Sequence, residues 1–264
     1  MHCPARRTIL IGALLLLAAC GGGKQSSTTD APVGGLWTGT LTVNGVAYTA
    51  YAMSSEAGEL ALLETDPASS FQAQYWGSLS ATGDQLTASF SGAVLNQADP
   101  FSDGSFYGTG TASGTIQGRS TITATISFKT SLGTTITGNL ALSYDSHYAQ
   151  PSDLTIIAGN YTNVRTPGTD VLSITSAGDL TYTDPLTTQC MATGTVTVLD
   201  SNYSVYAAQM SFSNCNNAYA FLNGVSIQGL ATVDANTTPR PLQFLLHGMV
   251  SGLDTPFDLA YQGT

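Results

Sequence analysis

Along most of the chain, apolar and polar residues alternate in short runs that turn residues interrupt. Residues 120–128 show this most clearly, with hydroxyl side chains on one face and apolar side chains on the other. A period of two predicts a strand with one buried face. Similar runs predict further strands at residues 39–43, 86–90, 136–144, 171–174, 193–199, 203–212 and 242–250.

Turn signals separate these runs at the spacing of hairpins, as in Thr82-Gly83-Asp84, Ala177-Gly178-Asp179 and Asn223-Gly224. Beyond the first residues, no run has the period of an amphipathic helix. The pattern therefore predicts an all-β fold of antiparallel barrels or sandwiches, with little or no helix outside residues 1–19.

A weak internal repeat divides the chain in two. Three short segments recur in the same order, and the order predicts two tandem lobes of similar topology at residues 36–148 and 149–264. The recurring pairs are residues 35–39 with 159–163, residues 55–60 with 175–180, and residues 140–144 with 257–261.

Residues 1–19 have the order of a secretory signal peptide. Arg6 and Arg7 precede a short apolar run, and Ala18 and Ala19 follow it. The apolar run is shorter than a membrane-spanning helix requires, which favours cleavage over a permanent span. Two adjacent arginines also allow a twin-arginine signal as an alternative.

Cys20 follows these small residues directly, in the order Leu17-Ala18-Ala19-Cys20. This order resembles the lipobox of bacterial lipoproteins. The resemblance implies cleavage before Cys20, acylation of its thiol and amino group, and stable anchoring in a membrane. Gly21 stands where Asp favours retention in the inner membrane, so the resemblance implies the outer membrane. Residues 20–35, rich in Gly, Ser and Thr, are then a lipidated flexible tether.

The charge balance excludes one class of partner. Seventeen acidic residues stand against seven basic ones, for a formal net charge of −10, and no basic cluster is present. Such a chain is not expected to bind nucleic acid. After removal of Cys3 and acylation of Cys20, an even pair remains, and in an oxidising compartment Cys190 and Cys215 are expected to form a disulfide. A metal site at this pair is the alternative, but no histidine lies nearby in the sequence.

Candidate catalytic residues are few. His147 and His247 are the histidines outside the predicted signal peptide, and neither stands in a nucleophile or metalloprotease motif. Residues 99–104 bear a faint likeness to a calcium loop, but Asp-Pro and Asp-Gly turns explain them. We therefore predict no catalytic residue, no metal and no cofactor, and expect that the protein is not an enzyme.

The aromatic residues suggest binding instead. Gly35-x-Trp37 and Gly159-x-Tyr161 are similar to the first strand of small up-and-down barrels such as avidins, lipocalins and lipoprotein-type protease and lysozyme inhibitors. Trp37 and Tyr161 are expected in the cores, while Trp76 and Tyr107 are open to other roles. The sequence thus favours an outer-membrane lipoprotein that binds a protein or small ligand. An inhibitor or immunity protein against a hydrolase comes second, and an envelope-directed hydrolase third.

Overall fold

A computed structural model of the protein describes residues 29–263, apart from residues 67, 69–71, 97 and 165–167. The described chain forms two closed antiparallel barrels in tandem. The predicted all-β fold with little helix is therefore confirmed. Of the two predicted architectures, barrels and sandwiches, the structure has barrels. The predicted signal peptide, the lipidation site Cys20 and most of the predicted tether lie outside the described residues.

The first barrel is an up-and-down meander, in which each strand pairs with the next and the last strand pairs with the first. Its strands are β1 (Gly35–Val43), β2 (Val46–Ser54), β3 (Glu59–Thr65), β4 (Gln72–Thr82), β5 (Gln85–Val94), β6 (Tyr107–Gln117), β7 (Thr121–Thr130) and β8 (Thr135–Asp145).

A 3-10 helix (Ser146–Ala149) and the one-turn helix α1 (Leu154–Ile157) lead into the second barrel, and a 3-10 helix at Asn217–Leu222 interrupts it. All helices in the described part of the chain are too short to cross a membrane. The strands of the second barrel are β9 (Gly159–Val164), β10 (Thr169–Ile174), β11 (Asp179–Thr183), β12 (Met191–Val198), β13 (Val205–Ser213), β14 (Ser226–Val233), β15 (Pro241–Val250) and β16 (Leu253–Gly263).

The segments that repeat in the sequence occupy corresponding places in the two barrels. Trp37 and Tyr161 lie on the first strands, β1 and β9, and both are buried. The second recurring pair forms the β2–β3 and β10–β11 turns, and the third lies on the last strands, β8 and β16. The predicted division between residues 148 and 149 falls within the 3-10 helix that follows β8.

The first barrel has two different ends. We call the end where β1 begins the closed end, because residues 30–34 run across it. There the Ala31 amide donates to the Gly83 carbonyl, the Gly83 amide donates to Asp30 Oδ1, and Val33 is buried in the core. The predicted tether, residues 20–35, therefore extends too far toward its C-terminal end. Ala31 and Val33 are apolar residues that cover the barrel core.

The barrels pack side by side through outward-facing side chains. Leu36, Met53 and Leu63 of the first barrel form one apolar cluster with Leu230 and Leu245 of the second. Strand β3 is consequently buried on both faces, since Leu60 and Leu62 point into the first barrel while Ala61 and Leu63 face the second. A strand with two buried faces has no alternating pattern, and β3 was not among the predicted strands.

Cys190 and Cys215 form a disulfide, as expected from the sequence. It joins the residue before β12 to the loop after β13. The Asn216 amide also donates to the Thr188 carbonyl, so the disulfide and this bond together hold the loops at that end of the second barrel.

Candidate ligand-binding cavity

The first barrel is hollow. A cavity of about 380 Å³ occupies its interior, within the size range of small-molecule sites. Every strand of the barrel contributes to its lining, and most of the lining is apolar. The lining aliphatic side chains include Leu41, Leu62, Leu79, Leu86, Ile122, Ile126, Leu140 and Leu142.

An aromatic cluster forms one wall of the cavity. The rings of Tyr75 and Phe90 meet edge to face with centroids 5.7 Å apart, and those of Tyr75 and Phe128 do so at 5.6 Å. Glycines on the neighbouring strands make room for these rings. A Cβ on Gly92 would lie 2.3 Å from the Tyr75 ring, and one on Gly110 would lie 2.7 Å from Phe90. The glycines of β5 and β6 therefore let the rings lie flat against the barrel wall.

One carboxyl group lies in this apolar interior. Glu64 points into the barrel like Leu60 and Leu62, which alternate with outward residues along β3. It is only 3% exposed. The Tyr75 hydroxyl donates to Glu64 Oε2 at 2.5 Å. Within the described part of the chain, this is the one side-chain hydrogen bond to the Glu64 carboxyl group.

The surroundings of Glu64 disfavour its charge. Burial raises its pKa to about 7, and the hydrogen bond from Tyr75 opposes that shift only in part. Burial and the neighbouring Glu64 likewise raise the pKa of Tyr75. No Lys, Arg or His is among the described residues that line the cavity. Among the described lining residues, a carboxylate in this position therefore has no cationic partner.

The cavity opens at the end of the barrel away from residues 30–34, which we call the open end. Asn44, Asp66 and Ser102, in turns at this end, line its rim. Tyr48 lies there as well, and its pKa is raised by burial and by the charges of Glu64 and Asp66. The negative charges of Glu64 and Asp66 therefore act on groups at the opening.

The loop between β5 and β6 folds over part of the open end. It places Phe101 against Phe128, with ring centroids 5.1 Å apart. Asp103 fixes this loop by accepting bonds from the Ser105 hydroxyl at 2.6 Å and the Thr130 hydroxyl at 2.5 Å. These hydrogen bonds hold the pKa of Asp103 below its usual range. Asp103 therefore serves the turn that the sequence indicated.

The core of the second barrel contains several large side chains. Tyr161, Tyr206, Met210, Phe244 and Tyr261 belong to its core, and each is at most 1% exposed.

The two barrels differ in size at two matched inward positions of the repeat. Ala52 of the first barrel corresponds to Leu172 of the second, and Leu62 corresponds to Tyr182. Larger side chains thus occupy equivalent inward positions in the second barrel. Barrels of this strand number have interiors that side chains can just fill, so a few small residues decide between a core and a cavity.

Both candidate histidines bind carboxylates. His147 Nδ1 lies 3.1 Å from Asp145 Oδ1, and its Nε2 lies 3.1 Å from Asp234 Oδ1. His247 Nδ1 lies 3.0 Å from Asp254 Oδ1, and its ring stacks on Trp76 between the barrels. Among the described residues, neither ring is hydrogen-bonded to a Ser, Thr or Cys side chain, and no group of three His, Cys, Asp or Glu could hold a metal ion.

Glu64, the buried carboxyl group of the cavity, was not singled out from the sequence. A signal for Glu64 is present in retrospect, because a charged residue stands in an inward position after Leu60 and Leu62. Of the aromatic residues left open, Trp76 is buried between the barrels and donates from Nε1 to Asp254 Oδ2 at 2.7 Å, whereas Tyr107 is exposed.

No protein-family model matches the chain, and no curated protein matches it. Among solved structures, the chain is similar to a Bacteroides fragilis protein that is provisionally named an outer membrane protein. The two share 11% identity at a TM-score of 0.30, over 88% of this chain and 97% of the other.

Proposed function

We propose that this protein is a non-enzymatic binding protein of the bacterial outer membrane, and that its first barrel holds a small apolar molecule. The observation that carries the proposal is the cavity of about 380 Å³, lined mainly by apolar side chains and open at one end. Sites for small molecules commonly combine such a lining with a few placed polar groups, here Glu64 and Tyr75.

The structure suggests how to fill this cavity without disturbing the fold. Ala52→Leu places in the first barrel the side chain that the second barrel has at Leu172. Ala47→Leu is the matched control, since it makes the same change on the same strand at an exposed position.

Binding can be measured with the neutral fluorescent probe N-phenyl-1-naphthylamine and the full chain. We expect saturable fluorescence enhancement with the unsubstituted protein and with Ala47→Leu. Ala52→Leu should weaken probe binding about tenfold or more, while circular dichroism shows an unchanged fold. Absence of saturable binding, or equal binding by Ala52→Leu, would contradict the cavity as a ligand site.

The proposed location rests on the lipobox that ends at Cys20. Acylation of this cysteine would keep the barrels at the membrane surface. In bacteria grown with labelled palmitate, the protein should take up label and fractionate with the outer membrane. The Cys20→Ala variant should do neither, and retention of both by that variant would rule out this anchor.

A second candidate function is contact with another protein, as in an inhibitor. It is favoured by the loop that follows Cys215, which the disulfide holds and which presents Phe221 with 53% of its surface exposed. Met249 and Leu253 are further exposed apolar residues at the same end of the second barrel. Rigid loops with an exposed aromatic residue suit protein interfaces.

This candidate can be tested against a panel of envelope glycan and peptide hydrolases. Inhibition that is weakened in Phe221→Ser but kept in Val171→Ser, a change at an exposed apolar residue elsewhere on the barrel, would support it. If no hydrolase is inhibited, or if both variants inhibit equally, the loop has no such role.

A further inference from the structure

We infer that the ligand of the first-barrel cavity is a cationic amphiphile, an apolar body bearing one protonated amine that pairs with Glu64. This inference rests on the proposed function and adds to it the chemical class of the ligand. It is carried by the charges around the cavity and by the hydrogen-bonding state of Glu64.

The charges of the lining all have one sign. Glu64 and Asp66 are its ionisable carboxyl groups, and the described lining contains no basic side chain. The whole chain has a formal net charge of −10, so no distant excess of positive charge offsets them. An amphiphile with a carboxylate or phosphate head would meet like charges at the opening and again inside, which disfavours binding.

Glu64 also has unused hydrogen-bonding capacity. A carboxylate can accept about four hydrogen bonds, and among the described residues Glu64 accepts one from a side chain, the Tyr75 hydroxyl. Its remaining capacity faces the cavity, where a bound ligand can supply donors. An ammonium group could donate up to three hydrogen bonds and supply the missing positive charge.

The corresponding residue of the second barrel shows what a carboxylate without a ligand role looks like. Asp184 matches Glu64 in the repeat, and it accepts bonds from the Leu186, Thr187 and Thr188 amides and from the Thr188 hydroxyl. These bonds hold the pKa of Asp184 below its usual value, whereas burial raises that of Glu64. Asp184 thus closes a loop, while Glu64 faces a space that no described protein group fills.

A neutral ligand is the closest competitor. An alcohol of the same length could also donate a hydrogen bond to Glu64, but it would leave the carboxylate charge unpaired. A buried charge is costly unless it is both paired and hydrogen-bonded. The amine should therefore bind more tightly than the alcohol, and the alcohol more tightly than the carboxylate.

Competition against bound N-phenyl-1-naphthylamine can rank the affinities of an amine, an alcohol and a carboxylate that share one alkyl chain length. With the full chain at about pH 8, decylamine should displace the probe at a concentration about tenfold below that of decanol, and decanoate should be weakest. Glu64→Gln should remove the preference for decylamine over decanol. It should change the affinity for decanol by less than about threefold relative to the unsubstituted protein. Glu59→Gln, the same change on the same strand at an exposed position, should keep the full preference.

The outcomes separate this inference from the proposed function. If the probe binds in the cavity but decylamine shows no advantage over decanol, or if Glu64→Gln keeps that advantage, the amine assignment is wrong and the cavity remains a ligand site. Tighter binding of decanoate than of decylamine would also overturn it. If the probe itself does not bind, or if Ala52→Leu leaves probe binding unchanged, the proposed function fails first.

Discussion

Glu64 and Asp184 show that the same kind of residue at the same place in a repeat can have opposite roles. Asp184 is surrounded by donors from its own loop, so its charge stabilises that loop. Glu64 accepts one side-chain hydrogen bond from the described residues, that of Tyr75, within an apolar interior. Its charge is therefore unfavourable for folding, and we expect a measurable effect on stability.

The stability of the protein should fall as the pH rises past the ordinary pKa of a glutamate. The pKa of Glu64 is raised from 4.5 to about 7 in the folded chain, so between these values the folded state binds more protons than the unfolded state. By linkage, the free energy of unfolding decreases over this interval, by at most about 3 kcal/mol, and the full cost is present above pH 7. Glu64→Gln should remove this decrease.

The measurement is urea unfolding of both proteins at about pH 5 and pH 8. The variant should gain about 2 kcal/mol relative to the unsubstituted protein between the two conditions. Glu59→Gln serves as the control and should follow the unsubstituted protein. An equal difference between Glu64→Gln and the unsubstituted protein at both values would show that Glu64 ionises normally.

At the scale of elements, the alternating pattern predicted strands best where one face of the strand is buried and the other is exposed. Strand β7 has this pattern, and so does β8. Strand β3 does not, because the second barrel covers its outer face, and β6 contains glycines at inward positions next to aromatic rings. The sequence pattern cannot anticipate burial that arises only when two barrels meet.

The cavity could not be predicted from the sequence for a related reason. Whether an eight-stranded barrel is hollow depends on the summed volume of its inward side chains, and differences such as Ala52 against Leu172 are small in any one strand. The disulfide, in contrast, followed from counting cysteines, because only Cys190 and Cys215 remained after the predicted signal peptide and Cys20 were set aside.

That disulfide should stabilise the second barrel. Cys190 and Cys215 are 25 residues apart, and closing a loop of this size is worth about 3 kcal/mol in the chain-entropy model. The double variant Cys190→Ser/Cys215→Ser should lose about that much in urea unfolding. Dithiothreitol should destabilise the unsubstituted protein by a similar amount and have no effect on the variant. An unchanged unfolding midpoint after reduction would contradict this role.

The segment of residues 30–34 should contribute to the first barrel despite its tether-like composition. Val33 is buried at the closed end, so Val33→Asp would place an unpaired carboxylate in the core and lower stability by about 2–4 kcal/mol. Val46→Asp, at an exposed position at the open end, should change stability by less than about 0.5 kcal/mol. Thermal melting of both variants checks this, and equal melting temperatures would mean that the segment does not cover the core.

At the scale of the whole molecule, the apolar cluster around Leu230 and Leu245 joins two barrels that each have a core of their own. A polar contact adds to it, since Arg119, which pairs with Glu56 of its own barrel, donates to the Tyr203 hydroxyl of the second barrel. Such an interface can make two closed units unfold as one.

Leu230→Asp should separate their unfolding. A carboxylate in the cluster would weaken the interface while each core stays intact, so calorimetry should show two transitions where the unsubstituted protein shows one. Val171→Asp, on the exposed surface of the second barrel, is the control and should keep a single transition. A single transition in Leu230→Asp would mean that one barrel depends on the other for its fold.

The segment that crosses the closed end leaves the cavity with its opening at the other end of the barrel. Residues 30–34 reach the first barrel at the end opposite the opening, and strands of this length separate the two ends by roughly 20–25 Å. A ligand bound as proposed would therefore leave at the end away from the point where residues 30–34 join the barrel. If the protein is held through Cys20, as the lipobox implies, the opening of the cavity would lie at the end of the barrel away from that attachment.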